Sequence, residues 1–219
     1  MPPQPKAPGP SRHLPMLVLG VFFFASTISA VVRLGWIEAG IPAVILLTTV
    51  PPIIVEKWAR IRIPFSLQLL YGILLITGPY IGGHLGLYQA WDPWDNWVHL
   101  YSGFPVSLGT ILLLGISFQR SQLRLPLGIE ALLIIAVKAL VALLWEIGEF
   151  VFDEIFDADT QDHNFDTMVD MIFGMVPGFL VAAALVLYRT KGWFRYVGFL
   201  LTVPQPSAKK QSCSERGKI

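Results

Sequence analysis

The sequence predicts an all-α membrane protein, a bundle of about six transmembrane helices with both the N-terminus and the C-terminus cytoplasmic. Three observations carry that prediction. The chain of 219 residues is 54% hydrophobic and only 14% charged, with a mean hydropathy of +0.60, whereas an average soluble domain is roughly 25% charged. Its apolar residues come in blocks of roughly 20, the length that crosses a hydrocarbon layer about 30 Å thick as a helix. Its basic residues fall almost entirely in alternate connections between those blocks, the distribution expected when one side of a membrane retains them.

Taken in order, residues 1–12 are proline-rich and lack apolar periodicity, and are expected to form a disordered cytoplasmic tail. A single transmembrane domain is expected over 13–203. Its first span, about 14–32, exceeds a secretory h-region and precedes no convincing small-x-small cleavage site, so it reads as retained. Further spans are expected at about 37–55, 65–88, 95–117, 126–153 and 166–188. The segment 193–201, with Trp193, Arg195 and Tyr196, is too short to cross and suits the interface. Residues 204–219 form a basic, disordered cytoplasmic end with Lys209, Lys210, Arg216 and Lys218. With the N-terminus inside, every one of the 16 Lys and Arg except Arg33 and Lys138 lies on the cytoplasmic side, and of the 15 acidic residues only Glu56, Glu130 and Glu215 join them.

Composition also excludes whole classes of function. A net charge of +1, with no basic stripe interleaved with aromatics, argues for no nucleic acid partner. A single cysteine, Cys213, permits neither an intrachain disulfide nor a cysteine metal cage. No internal repeat is visible, which counts against an inverted-repeat transporter.

The informative residues are acidic and histidine side chains at helical spacing near three helix ends. Asp92, Asp95 and His99 fall on one face of a helix, as do Glu146, Glu149 and Asp153, and again Asp162, Asp166 and Asp170. The inner members lie roughly 6–10 Å inside their helix ends at about 1.5 Å of rise per residue. An ionised carboxylate facing lipid costs at least about 2.5–3.5 kcal/mol, so these groups should face the bundle interior. Converging carboxylates need a positive partner. A divalent cation, Mg²⁺, Mn²⁺ or Zn²⁺, suits carboxylates with one imidazole; protons or Arg33 are the other candidates. The expected metal ligands are His99, Glu146, Glu149, Asp166 and Asp170. Asp95 is expected as a ligand or as the group that orients His99, and Glu149 and Asp95 are the expected catalytic groups.

Other polar residues have plainer readings. Asp92, Asp153, Glu154, Asp157, Asp159 and Asp162 fit a solvated acidic loop, Asp166 alone would suit a first-turn acid on the helix dipole, and His84 fits the interface better than a ligand set. Pro79, Pro105 and Pro177 sit about 9–11 residues from the outer ends of their spans, where proline kinks a helix. Lys138, mid-span and eleven residues (about 16 Å) from Glu149, is not expected to pair with it.

At these residues the sequence resembles the YjdF family of bacterial inner-membrane proteins. The likeness is in order and spacing: Asp95 and His99 in WDNWVHL, Glu146 and Glu149 in WEIGEF, and Asp166, Thr167 and Asp170 in FDTMVDM, over about residues 75–180. The layout is also distantly similar to VanZ-like envelope proteins. The YjdF-like resemblance implies one shared site in a protein of the bacterial inner membrane, the VanZ-like layout points toward cell-envelope chemistry, and the distribution of basic residues puts the site on the periplasmic or extracellular side. The leading expectation is a pocket that binds a divalent cation and serves hydrolysis or group transfer on a lipid-linked envelope substrate, with membrane lipids around it. A cation- or proton-coupled transporter and a non-catalytic membrane scaffold are the alternatives.

Overall fold

The computed structural model describes residues 13–122, 124–157, 160–161 and 163–206, which are helical with short connections and no strand. The tails expected at 1–12 and 207–219, with Cys213, and the loop residues Asp159 and Asp162 lie outside the described residues.

Six helices are long and apolar enough to cross a membrane, so the chain is a multi-pass membrane protein. The first is α1 (Leu14–Arg33); the second, Gly40–Trp58, is made of α2 (Gly40–Thr48) and α3 (Pro51–Trp58). The third begins as α4 (Phe65–Leu75) and continues as a wider π-helical stretch, Ile76–His84, around Pro79. A short helix, α5 (Leu87–Ala90), leads into α6 (Pro93–Ser121), α7 (Leu127–Phe156) and α8 (Asn164–Lys191), and α9 (Arg195–Thr202) closes the described chain.

The break between α2 and α3 follows from two adjacent prolines. Pro51 and Pro52 bring no N–H, which would leave the carbonyls of Leu47 and Thr48 without helical partners in a medium that offers no water. The Val50 N–H turns back to Leu47 at 3.2 Å, and the Tyr71 hydroxyl donates to the Thr48 carbonyl at 3.0 Å. A neighbouring span thus satisfies the group that the prolines orphan. In the π-helical stretch, the Thr77 hydroxyl donates to the Ile73 carbonyl at 2.9 Å and the Trp94 indole N–H to the Thr77 carbonyl at 3.1 Å.

Helices α6, α7 and α8 form the centre. A Cβ on Gly103 of α6 would stand 2.7 Å from the Gly174 carbonyl and from Pro177 of α8, so only glycine allows this crossing. Pro177, read from sequence as a kink, therefore also serves as the surface on which α6 rests. Toward the far ends of these helices, Ile111, Ile134, Leu185 and Leu200 are fully buried in one apolar cluster. There α9 lies with Val197, Gly198, Leu200 and Leu201 buried; its Leu201 backbone is so close to Gly115 of α6 that a Cβ there would meet the Leu201 carbonyl at 2.6 Å. Arg189 reaches buried Glu130 with bonds of 3.0 and 2.9 Å, and Arg120 donates to the carbonyls of Ala59 and Arg60, each at 2.8 Å. A second cluster, Phe23, Ile45 and Leu75, joins α1, α2 and α4. The opposite end of α6, α7 and α8 is where the acidic motifs meet.

Candidate cation site

Pro93 starts α6 at a first-turn position, and Asp95 follows in that same first turn, where the unsatisfied N–H groups favour an acid. One turn later His99 is buried, 6% exposed. Its imidazole lies between two carboxylates: Nε2 is 3.6 Å from Asp95 Oδ1 and Nδ1 is 3.7 Å from Glu146 Oε1 on α7. Both separations exceed hydrogen-bond length. From α8, Asp170, 2% exposed, completes a group in which Asp95, His99 and Asp170 each offer a ligand atom within 4.8 Å of the others. A cation with bonds of about 2.1 Å needs ligand atoms roughly 3–3.5 Å apart, so this group could hold an ion after small side-chain adjustments.

Two buried oxygens at the site, Glu146 Oε1 and Asp170 Oδ1, have no hydrogen-bond partner among the described residues. Buried polar atoms are almost always satisfied, and an exception calls for a physical reason. Carboxylates with one imidazole, two of their oxygens unbonded, match the donor set of a hard or borderline divalent cation.

The remaining expected residues surround this group without joining its tightest part. Glu149 is half-buried one turn nearer the end of α7, and its Oε1 accepts a bond of 2.8 Å from the Trp145 indole on the same helix. Asp166 is half-buried one turn before Asp170, close enough for its charge to act on Asp170 and Glu146. Asp153, read as a loop acid, holds the α7–α8 connection: it accepts from the Thr160 backbone at 3.0 Å and from the Gln161 backbone at 2.9 Å. His84 stacks on Tyr80 with ring centroids 5.3 Å apart, and Arg33 is exposed at the end of α1.

Two residues at the site carry no sequence motif. Lys138 of α7 is 2% exposed. It occupies a slot left by two glycines of α8: a Cβ on Gly174 would be 3.2 Å from its Nζ, and one on Gly178 would be 3.3 Å from its Cβ. Its charge acts on both Glu146 and His99, so the nearby positive group is this lysine rather than Arg33. Tyr88 of α5 lays its ring on Gly82, where any Cβ would overlap it. Burial first, then the charges of Asp95, Glu149 and Asp170, raise the Tyr88 phenol above its usual range, so its hydroxyl keeps its proton beside the carboxylates. Neither residue lies in a repeated acidic spacing. The available signals were a charge in mid-span for Lys138 and small residues facing it at a four-residue interval.

Residues 12–191 match the family described as predicted membrane protein DUF2238. The chain belongs to that family. The DUF2238 match takes in all six spans and every residue of the site and ends at Lys191, before α9. It agrees with the YjdF-like resemblance of the three motifs. No curated protein and no solved structure matches the chain significantly.

Proposed function

We propose that this DUF2238 protein binds a divalent cation between α6, α7 and α8 and uses it for hydrolysis or group transfer at the non-cytoplasmic face of the bacterial inner membrane. Asp95, His99 and Asp170 are the central ligands, Glu146 is a fourth donor or the group that orients the imidazole, and Glu149 serves as general base. Glu149 is held by Trp145 at the rim, where a reacting water has access. Asp166 adds negative charge without being required as a ligand. A bound cation would lower the pKa of a water or polarise a phosphoryl or acyl oxygen. The observation that carries this reading is the convergence of three ligand groups from two helices within 4.8 Å, with two buried carboxylate oxygens around them that have no hydrogen-bond partner among the described residues. The orientation rests on the end opposite the site, where Arg120, Arg189 and Lys191 gather.

Transport of the cation fits the architecture less well. Lys138 lies inward of the site on α7, and a buried ammonium opposes a cation moving past it. Beyond Lys138 stands the sealed cluster of Ile134, Ile111, Val181 and Leu185. A fixed site suits catalysis.

The test is elemental analysis of purified protein in detergent, beside Asp170→Asn and His99→Ala variants checked by size-exclusion chromatography. Wild type should hold close to one divalent ion per chain, and both folded variants should lose it. A saturating cation should also raise thermal stability by about 2.7 kcal/mol at a hundred times Kd. A folded wild type that stays metal-free after each candidate ion has been supplied refutes the reading.

A further inference from the structure

Helices α7 and α8 touch closely at Gly174, where a Cβ would be 3.6 Å from Ala142 Cβ. Toward their connecting loop they part. A cavity of about 390 Å³ lies between them, within the size range of small-ligand sites. Its walls are apolar, with Ile147 and Phe150 from α7 and Met168 and Met171 from α8. Phe150 is 55% exposed and Met168 44%, so the cavity opens to the side of the bundle, where these spans meet acyl chains. Its loop end is polar, lined by Gln161 and Asn164.

Glu146 also lines this cavity. It is 4% exposed, its Oε1 has no hydrogen-bond partner among the described residues, and that same oxygen is 3.7 Å from His99. The cavity therefore leads from the lipid-facing flank to the edge of the cation site. An apolar groove open sideways gives a water-borne solute no advantage. It fits a molecule already in the bilayer, with a chain against Phe150 and Met168 and a polar head turned toward Glu146.

We infer that the gap between α7 and α8 is a lateral port through which a membrane amphiphile, with a phosphoryl or acyl oxygen in its head, reaches the cation site. The inference rests on the proposed cation reading for its chemistry, and on the cavity alone for its route. Met168 and Phe150 contact the chain, Gln161 and Asn164 face the head, and Glu146 marks the junction. Met flexibility suits chains of varied shape.

The test uses a phosphatidylglycerol carrying a diazirine on one acyl chain, with the full-length protein in nanodiscs of phosphatidylethanolamine and phosphatidylglycerol. After irradiation, labelled peptides are mapped by mass spectrometry, and bound metal is measured on the same samples. Label should concentrate on 143–150 and 167–171 over the equally lipid-facing surface of α1. Met168→Trp should reduce it about tenfold, the effect of ~1.4 kcal/mol of steric cost, with metal content unchanged. Even labelling of α1, α7 and α8, or labelling indifferent to Met168→Trp, overturns the port. If that variant fails to fold, the wild-type map decides alone. Confined labelling on a protein that binds no metal leaves the port standing and removes the cation reading. Even labelling on a metal-loaded protein does the reverse.

Discussion

The two ends of the protein each bury two carboxylates, Glu56 and Glu130 at one and Glu146 and Asp170 at the other, and treat them in opposite ways. At the basic end each acid has a protein partner: Glu130 takes two bonds from Arg189, and Glu56 accepts the Ile63 N–H and lies 3.2 Å from His13. At the acidic end His99 stands 3.6 and 3.7 Å from its neighbouring carboxylates, and two oxygens bond to nothing among the described residues. The first end is built for cohesion. The second leaves two buried carboxylate oxygens without partners among the described residues, and the proposed cation reading rests on that difference.

Removing one charge at each end sharpens this contrast. Arg189→Ala leaves Glu130 buried without its partner and should cost about 2–3 kcal/mol, somewhat below the usual penalty for breaking a buried pair because Arg189 keeps contact with solvent. A thermal melt in detergent measures it, and an unchanged Tm would deny that the basic end is held by ion pairing. Asp170→Asn should act with the opposite sign. In chelator-treated protein it relieves an unpaired buried carboxylate and should raise stability by about 1–2 kcal/mol, while abolishing the thermal response to added cation. A destabilised variant that still responds to cation would remove Asp170 from the site. Lys138→Met keeps the length of the side chain and deletes its charge. The smallest of the three effects, a gain in cation affinity of about fivefold, should be read by titration, since a nearby ammonium competes with the ion for the same carboxylates. Weaker binding in this variant would instead make Lys138 part of what holds the site in shape.

The membrane architecture was legible because lipid imposes a simple rule: long apolar blocks must be helices, and charge is confined to their ends or to the bundle interior. The acidic faces were legible for the same reason, and the spacings of Asp95 with His99, Glu146 with Glu149, and Asp166 with Asp170 each give one buried and one half-buried member at the candidate site. Which member goes deepest was not legible. It depends on how far α8 slides along α6, and that is set by Gly103 against Pro177. Lys138 is not legible in the same way, because eleven residues separate it from Glu149 and the group within reach of its charge is Glu146, two turns away. Tyr88 escaped because a four-residue helix has no periodicity to read and its position depends on Gly82.

The slot that holds Lys138 has a mechanical consequence. The ammonium belongs to α7, but the space it occupies is cut from α8 by Gly174 and Gly178, and the histidine it acts on belongs to α6. Sliding α8 along its neighbour brings a bulkier residue toward the slot and pushes the charge along its tether, nearer to the imidazole or farther from it. A shift in helix register at the seam between α7 and α8 would therefore alter the electrostatic potential at the imidazole, because the charge that acts on His99 is seated by the small residues of that seam.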